Sequence, residues 1–385
     1  MARTEIMKKV AGYDEIIRDN IILEKYGFDY NARKGEVQKI IDSLHPQRLD
    51  LTVSEITEQT ASAKSFKLVS SSGSLPPFQA GQYINLFVEA GGIRTSRPYS
   101  IASSPTQTGY YEITVRRVED GFVSNFLLDE LKTGDRLQAS SPSGNFHYNP
   151  LFHGDRLAFI AGGSGITPFM SMIREMADRN LDRRMHLFYG SRLEEDVIYR
   201  QEIERTAEAH KNFTWDLVVS EPDPSFSGCR GFIDADLIGK KLEGKDWTYF
   251  VCGPEAMYQF CLPELEKRSI PARKIRVEVM GAPKNIVSYP GWPENVKAGD
   301  VFPVAIKGKK SIRAAASEPL MISLEKAGVV IPALCRSGEC SLCRTKLLSG
   351  KVYQLSGVKL RKSDRTFGYI HPCMAYPISD IEILL

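Results

Sequence analysis

The sequence predicts a multidomain chain: an N-terminal helical extension, an antiparallel β-barrel, an α/β domain with a parallel sheet, and a small β-grasp-like C-terminal domain. Three observations predict it. Apolar residues recur at helical spacing up to about residue 45 and at strand spacing from Leu49 onward. From about Asp155 strands alternate with helices, the pattern of a parallel sheet. Near the C-terminus Cys335, Cys340 and Cys343 stand as C-x4-C-x2-C, with Cys373 further along. The expected boundaries are 1–47, 48–150, 151–296 and 297–385.

A chain of 385 residues has room for two or three domains. Its 42% hydrophobic and 25% charged fractions are those of an ordinary soluble globular protein. The net charge of +3, with no long Lys/Arg run, gives no footprint for nucleic acid. No stretch approaches the ~20 apolar residues that cross a bilayer, so no membrane partner is expected. Met1 to Val10 mixes acid and base and lacks the apolar core of a signal peptide. Of seven cysteines, Cys229, Cys252 and Cys261 fall outside the C-terminal motif. That odd remainder argues against a disulfide framework and for the reducing cytoplasm.

In the extension, Ile6, Val10, Tyr13, Ile17 and Ile21 recur at helical spacing, as do Val37, Ile40, Ile41 and Leu44 before Pro46. Lys8, Lys9, Arg18 and Lys25 are interspersed. Two readings stand side by side: helices that cover the barrel, and a docking surface for a partner protein. The barrel strands are expected at 49–53, 65–69, 83–88 and 111–115, separated by Gly, Pro and Ser clusters.

In the α/β domain, the apolar strand 156–161 runs into Gly162-Gly163-Ser164-Gly165-Ile166-Thr167-Pro168 and then a helix. Such glycines let a backbone approach a pyrophosphate, and a helix N-terminus offers free N–H groups and a positive dipole. Thr167 is expected as N-cap and Pro168 at N1. Pro168 occupies the place of the third glycine of G-x-G-x-x-G, so the turn is not that fingerprint. Taken alone it reads equally well as a tight connection. A second strand, 249–251, ends in Cys252-Gly253-Pro254, and strand C-terminal ends face the ligand crevice in such sheets.

The four cysteines have the ligand spacing of a plant-type [2Fe–2S] cluster, three thiolates on one tight loop and a distant fourth. Gly338 can take positive φ, and loop N–H groups can point at sulfur. The alternative is structural zinc, whose ligands usually come as two close C-x2-C pairs. The flanks agree with the first reading. Strands at 301–306 and 311–314 form a hairpin around a Lys/Gly turn, and Ser317 is expected to cap a helix that Gly328 stops. Thr345 to Leu348, Lys351 to Tyr353 and Ile378 to Leu385 follow.

These motifs carry a resemblance. Arg97-Pro98-Tyr99-Ser100, Gly-Gly-Ser-Gly-Ile-Thr-Pro and Cys-Gly-Pro occur in that order, so residues 49–296 resemble the ferredoxin–NADP reductase superfamily. With the C-terminal ferredoxin domain, the chain resembles the three-domain reductases of multicomponent oxygenases. The first 47 or so residues lie outside it. The resemblance implies that Arg97 pairs with flavin phosphate, with Pro98 beside it in the motif, that Tyr99 stacks on the isoalloxazine and that Ser100 bonds near flavin N5. It implies a pyrophosphate turn at Gly121 and Ser124. The segment of Gly144 and Phe146 implies adenine packing, and so FAD rather than FMN. Read without the family, Arg97 is a surface charge, Tyr99 a half-buried strand aromatic and Phe146 barrel core.

By the same resemblance Cys252 lies beside the nicotinamide C4 and Glu278 near the same place. Alone, Cys252 reads as a small buried hydrophobe and Glu278 as a strand-edge carboxylate. Glu221 would repel a 2′-phosphate and favours NADH. Arg192 pulls toward NADPH as the alternative. A hydride donor gives two electrons while a [2Fe–2S] cluster takes one at a time, and a flavin deals in both. The expected function is therefore NADH-dependent electron transfer through FAD and [2Fe–2S] to a protein acceptor, an oxygenase component or another redox enzyme. A subunit role in a larger redox complex and a redox-sensing regulator are the competing readings.

Overall fold

Burial alternates along 49–54, with Leu49, Leu51 and Val53 inside, as a strand with one face on a core requires. The computed structural model describes residues 12–25, 35–71, 73–244, 246–279 and 281–385. The chain divides into two compact units, residues 1–47 and 48–385.

In the first unit, α1 spans Tyr13–Lys25 and α2 spans Glu36–Leu44. The helical positions expected at Ile6, Lys8, Lys9 and Val10 lie outside the described residues. Ile17 and Ile21 of α1 and Val37, Ile40 and Ile41 of α2 are exposed.

The second unit opens with six antiparallel strands: β1 (Leu49–Thr60), β2 (Ala63–Ser70), β3 (Tyr83–Ala90), β4 (Ile93–Ser100), β5 (Tyr111–Arg116) and β6 (Arg136–Ala139). Their order is β4-β3-β6-β1-β2-β5. An isolated antiparallel bridge, Ile101 to Ile113, brings the residue after β4 onto β5, so the two outer strands meet at one point. Helix α3 (Phe122–Asp129) buries Val123, Leu127 and Leu128 against the barrel core.

After the short α4 (Pro150–His153) come β7 (Arg156–Gly162), α5 (Thr167–Arg179), β8 (Arg184–Ser191), α6 (Arg200–Ala209), β9 (Phe213–Val219) and β10 (Cys229–Arg230). Then follow α7 (Ala235–Lys241), β11 (Thr248–Cys252), α8 (Glu255–Lys267) and β12 (Ile275–Glu278). The sheet is parallel in the order β10-β9-β8-β7-β11-β12. Leu157, Phe159 and Ala161 of β7 enter one apolar cluster, and Ala158 and Ile160 enter another. Both faces are therefore covered, which explains the unbroken apolar run.

The start of α5 corrects one expectation. A 3-10 turn over Gly163–Ile166 leads into it, so Ile166 is the cap position, and Thr167 and Pro168 are the first two helical residues. The Thr167 hydroxyl donates to the Ser164 carbonyl (2.7 Å) instead of accepting a helix N–H.

His153 supplies a pH prediction. Burial first, then the charges of Arg276, His147 and Lys274, pushes its pKa down from 6.5 to about 4. Its Nδ1 accepts the Asn149 N–H at 2.9 Å, which suits the neutral ring. Between those pH values the unfolded chain binds the extra proton, so stability is present above pH 6.5 and is lost as pH falls toward 4. The loss stays below about 3.4 kcal/mol, the full value of the shift before solvent screening reduces it. Denaturant unfolding at pH 7 and pH 4.5 should show a smaller drop for His153→Gln than for the parent. An equal drop in both would remove His153 from the account.

The C-terminal domain contains β13 (Val301–Ile306), β14 (Ile312–Ala315), α9 (Leu320–Lys326), β15 (Thr345–Ser349), β16 (Val352–Gln354), α10 (Lys362–Thr366), β17 (Tyr369–Ile370), β18 (Ala375–Pro377) and β19 (Ile381–Leu384). Its main sheet runs β14-β13-β19-β15-β17, with β13 and β19 parallel in the middle. The expected hairpin is present. Gly328 follows α9 at φ 77° and donates to the Glu325 carbonyl (2.9 Å). Ser317 is not the cap: Pro319 holds that position, its ψ of 135° still outside the helix that begins at Leu320.

The segment joining the last two domains is tied to both. Tyr289 Oη donates to Glu255 at the start of α8. Trp292 packs on Tyr353 at 5.1 Å between ring centroids, and Tyr353 Oη donates to the Pro290 carbonyl at 2.9 Å.

Candidate functional site

The cysteine loop follows α9. Cys335, Cys343 and Cys373 are buried and Cys340 is exposed. The Cys335 sulfur accepts three backbone N–H groups, from Ser337 (3.5 Å), Glu339 (3.4 Å) and Cys340 (3.4 Å). Arg336, Gly338 and Ser341 all take positive φ, which turns the backbone around the sulfurs. A Cβ on Gly338 would meet Val358 and Met374 at 3.0 to 3.2 Å. Glycine is needed there for both reasons.

The thiols pair two by two. Cys335 lies within hydrogen-bond reach of Cys340, and Cys343 lies 3.4 Å from Cys373. The Cys340 thiol is the largest influence holding Cys335 well below the usual thiol range. Two close pairs of thiolates fit the two irons of a [2Fe–2S] cluster.

On the α/β sheet, the turns after β7 and β11 touch. A Cβ on Gly165 would lie 2.1 Å from the Cys252 carbonyl oxygen, and one on Gly162 would lie 2.8 Å from Pro254. Gly253 closes the same contact: a Cβ on it would lie 3.1 Å from the Gly162 Cα. Gly163 takes φ 52°. These glycines therefore let two strand ends meet, whatever else they contact. Cys252 ends β11, 2% exposed, and stands in register with Glu278 of β12. Burial, then the Glu278 charge, pushes the Cys252 thiol up. Tyr258 of α8 clasps this end. Its hydroxyl accepts the Gly253 N–H (2.9 Å) and donates to the Glu278 carbonyl.

Burial is the main cause that raises Glu278 to about 8, followed by the charges of Glu339 and Cys335. Those two residues belong to the cysteine loop. Tyr83 of β3 also feels Cys335, Cys340 and Glu278. Charges of the barrel, the α/β sheet and the cysteine loop thus act on one another here.

The barrel contributes β4. Ser100 pairs with Tyr83 across the sheet and Tyr99 with Ile84. Ser100 is 4% exposed and its Oγ has no hydrogen-bond partner. A buried hydroxyl left unpaired is costly, and a polar ligand atom would relieve it. Tyr99 is half-buried against the barrel core, next to Pro98. Arg97 Nη1 donates to Thr95 Oγ1 (2.8 Å) and the Ser96 carbonyl (2.7 Å). Burial, then the neighbouring Arg336, lowers its pKa to about 10. Gly121 is the cap residue of α3 and Ser124 lies in its first turn, where a Cβ on Gly121 would meet Ser124 Oγ at 2.2 Å. Gly144 takes φ 113° against the Tyr83 ring.

Phe146 is the residue expected to pack on adenine. It is 3% exposed and packs between Phe169 (5.8 Å) and Phe250 (5.3 Å). Its ring belongs to the core joining barrel and α/β domain, because protein rings already engage it. Arg192 and Glu221 sit at the ends of β8 and β9, both exposed, with Arg192 Nε 3.9 Å from Glu221 Oε2. The two residues expected to pull the nucleotide choice in opposite directions thus stand as a loose pair. Tyr83, Tyr258 and Arg336 escaped the sequence reading, since none belongs to a motif that predicts its partners.

Comparison with known proteins agrees with this architecture. Residues 48–148 match the model of an oxidoreductase FAD-binding domain, 159–262 an oxidoreductase NAD-binding domain and 304–377 a 2Fe-2S iron-sulfur cluster binding domain. The glycine betaine monooxygenase reductase subunit of Pseudomonas aeruginosa is 28% identical over 343 residues, 86% of this chain and 93% of that protein. Ferredoxin–NADP reductase B of Sorangium cellulosum is 33% identical over 209 residues, 52% of this chain and 84% of that protein. The solved structure of phthalate dioxygenase reductase superposes with a TM-score of 0.65 at 24% identity, covering 88% of this chain and 97% of that one. FAD, NAD and [2Fe–2S] are thus the cofactors, and the chain is an oxidoreductase. The chain belongs to the ferredoxin–NADP reductase superfamily, with a 2Fe-2S domain following its FAD-binding and NAD-binding domains.

Proposed function

We propose that this reductase draws its electrons from NADH and delivers them to a protein acceptor, an oxygenase component. The observation that carries the reading is the direct bond between the barrel and the cysteine segment, Asn85 Nδ2 to the Ala333 carbonyl at 2.8 Å, with the unpaired Ser100 hydroxyl on the strand paired to that of Asn85 and with Cys252 in register with Glu278 at the ends of adjoining strands. Bound FAD supplies the exchange between a two-electron donor and a one-electron cluster.

The chain's own residues bind and orient. Arg97 and Pro98, with the α3 N-terminus at Gly121 and Ser124, hold flavin phosphates, and Tyr99 and Ser100 hold the ring. The turn from Gly162 to Pro168 and the Gly253–Pro254 turn hold the nucleotide, and Cys252 and Glu278 fix the nicotinamide. Cys335, Cys340, Cys343 and Cys373 hold the cluster. With every cysteine free of disulfides, a reducing cytoplasm is the compartment this reading implies.

The nucleotide choice rests on Glu221. Its carboxylate can bond a ribose 2′-OH and repels a 2′-phosphate, and it partly neutralises Arg192 across 3.9 Å. Steady-state kinetics with both nucleotides test it. The parent should favour NADH, and Glu221→Arg should shift the kcat/KM ratio toward NADPH by about 1–3 kcal/mol. A parent that prefers NADPH, or a ratio that does not move, would overturn the assignment.

A further inference from the structure

The cysteine loop carries one side chain with no role in holding a cluster, and it points across a domain boundary. Arg336 directly follows Cys335, takes φ 52° and is 7% exposed. Its Nη2 donates to Glu325 Oε1 and its Nη1 to Glu325 Oε2 (3.3 Å). Glu325, on α9, is 3% exposed. An ion pair this buried gives up hydration on both charges, so its geometry must be satisfied from several sides.

The missing bonds come from the barrel. Arg336 Nη2 donates to Thr95 Oγ1 (3.1 Å), and Thr95 Oγ1 donates to Glu325 Oε2 (2.9 Å). Ser96 Oγ accepts from Arg336 Nε (3.4 Å) and from Asn85 Nδ2 (3.0 Å). Asn85 Nδ2 also donates to the Ala333 carbonyl (2.8 Å), two residues before Cys335. Thr95 and Ser96 lie on β4, immediately before Arg97 and four residues before Ser100. The same Thr95 hydroxyl accepts from Arg97. The strand read as holding flavin and the loop read as holding the cluster are therefore joined by one buried polar junction.

We infer that Arg336, completed by Glu325, is a positioning residue: the pair and its bonds to Thr95 and Ser96 lock the cluster domain onto the flavin strand and set the separation that electrons cross. Neither side chain takes part in hydride acceptance or cluster ligation. The inference rests on the four cysteines holding the cluster, and the test reads that separately.

The test uses full-length holoprotein with Glu325→Gln, which lies off the cysteine loop, and the conservative Arg336→Lys. Cluster content is read from the electron paramagnetic resonance of reduced protein. Domain docking is read from small-angle X-ray scattering and from tryptic cleavage within 281–298. Stopped-flow absorbance follows flavin reduction by NADH and then passage to the cluster. Glu325→Gln should keep full cluster content and the parent rate of flavin reduction. It should scatter as a more expanded particle, be cleaved faster, and pass electrons to the cluster about tenfold or more slowly. Arg336→Lys, a point charge in place of a planar fork, should fall between it and the parent. Parent-like scattering, or transfer within about twofold of the parent, overturns the inference. So does loss of the cluster in Glu325→Gln, which would make the pair a support of the loop. A parent protein without the [2Fe–2S] signal would sink the cysteine assignment instead.

Discussion

Replacing Cys340 with alanine should abolish reduction of a one-electron protein acceptor such as cytochrome c, while NADH oxidation by ferricyanide persists. The site is chosen by burial. Cys343 and Cys373 belong to the apolar core of the last domain, whereas Cys340 is exposed, so its truncation opens no cavity. The barrel and the α/β sheet have apolar clusters of their own, which contain none of the four cysteine ligands. They should stay folded and keep flavin and nucleotide bound. Outer-shell changes around metals typically cost 10–100-fold, so loss of a direct ligand should lower the cytochrome c rate by at least about a hundredfold. Ferricyanide, small enough to reach flavin directly, should be reduced within about twofold of the parent rate. Equal loss of both activities would contradict a linear path from flavin to cluster.

Much of this arrangement is legible in the sequence, and the parts that are not share a cause. Strand and helix periods locate the barrel and the parallel sheet because each element buries one repeating face, or in β7 both faces. The cysteine spacing is legible because four thiolates around two irons tolerate few loop lengths. The start of α5 is misread by one residue, because a Thr-Pro pair looks like a cap when the preceding Gly-Ser-Gly-Ile has already begun to turn. The packing of Phe146 on Phe250 is not legible, because an aromatic in a loop has the same local pattern whether it meets a ligand or the next domain. Asn85, Thr95, Glu325 and Arg336 lie up to 251 positions apart in 385, and only the folded chain brings them together. The strap through Tyr289 and Trp292 is invisible for the same reason: its anchors, Glu255 and Tyr353, belong to different domains.

Cys252 decides whether the strand-end geometry matters for chemistry. Cys252→Ala should slow flavin reduction by NADH in single turnover by about tenfold or more, roughly 1.4 kcal/mol of nicotinamide alignment lost. The thiol stands in register with Glu278, and Tyr258 bridges the Gly253 N–H and the Glu278 carbonyl behind it. Removing one sulfur atom leaves that clasp in place, so nucleotide affinity should change less than the rate. Cys261→Ala is the matched control. Cys261 is equally buried, at 1% exposure, but lies within α8 with its thiol 3.7 Å from the Ile233 carbonyl. Both truncations should cost similar stability, on the order of 1 kcal/mol, because each removes one buried apolar atom from a packed site. Only Cys252→Ala should alter the stopped-flow trace. Equal and small kinetic effects from the two variants would return Cys252 to the status of a core residue, with the nicotinamide held by Glu278 and the backbone alone.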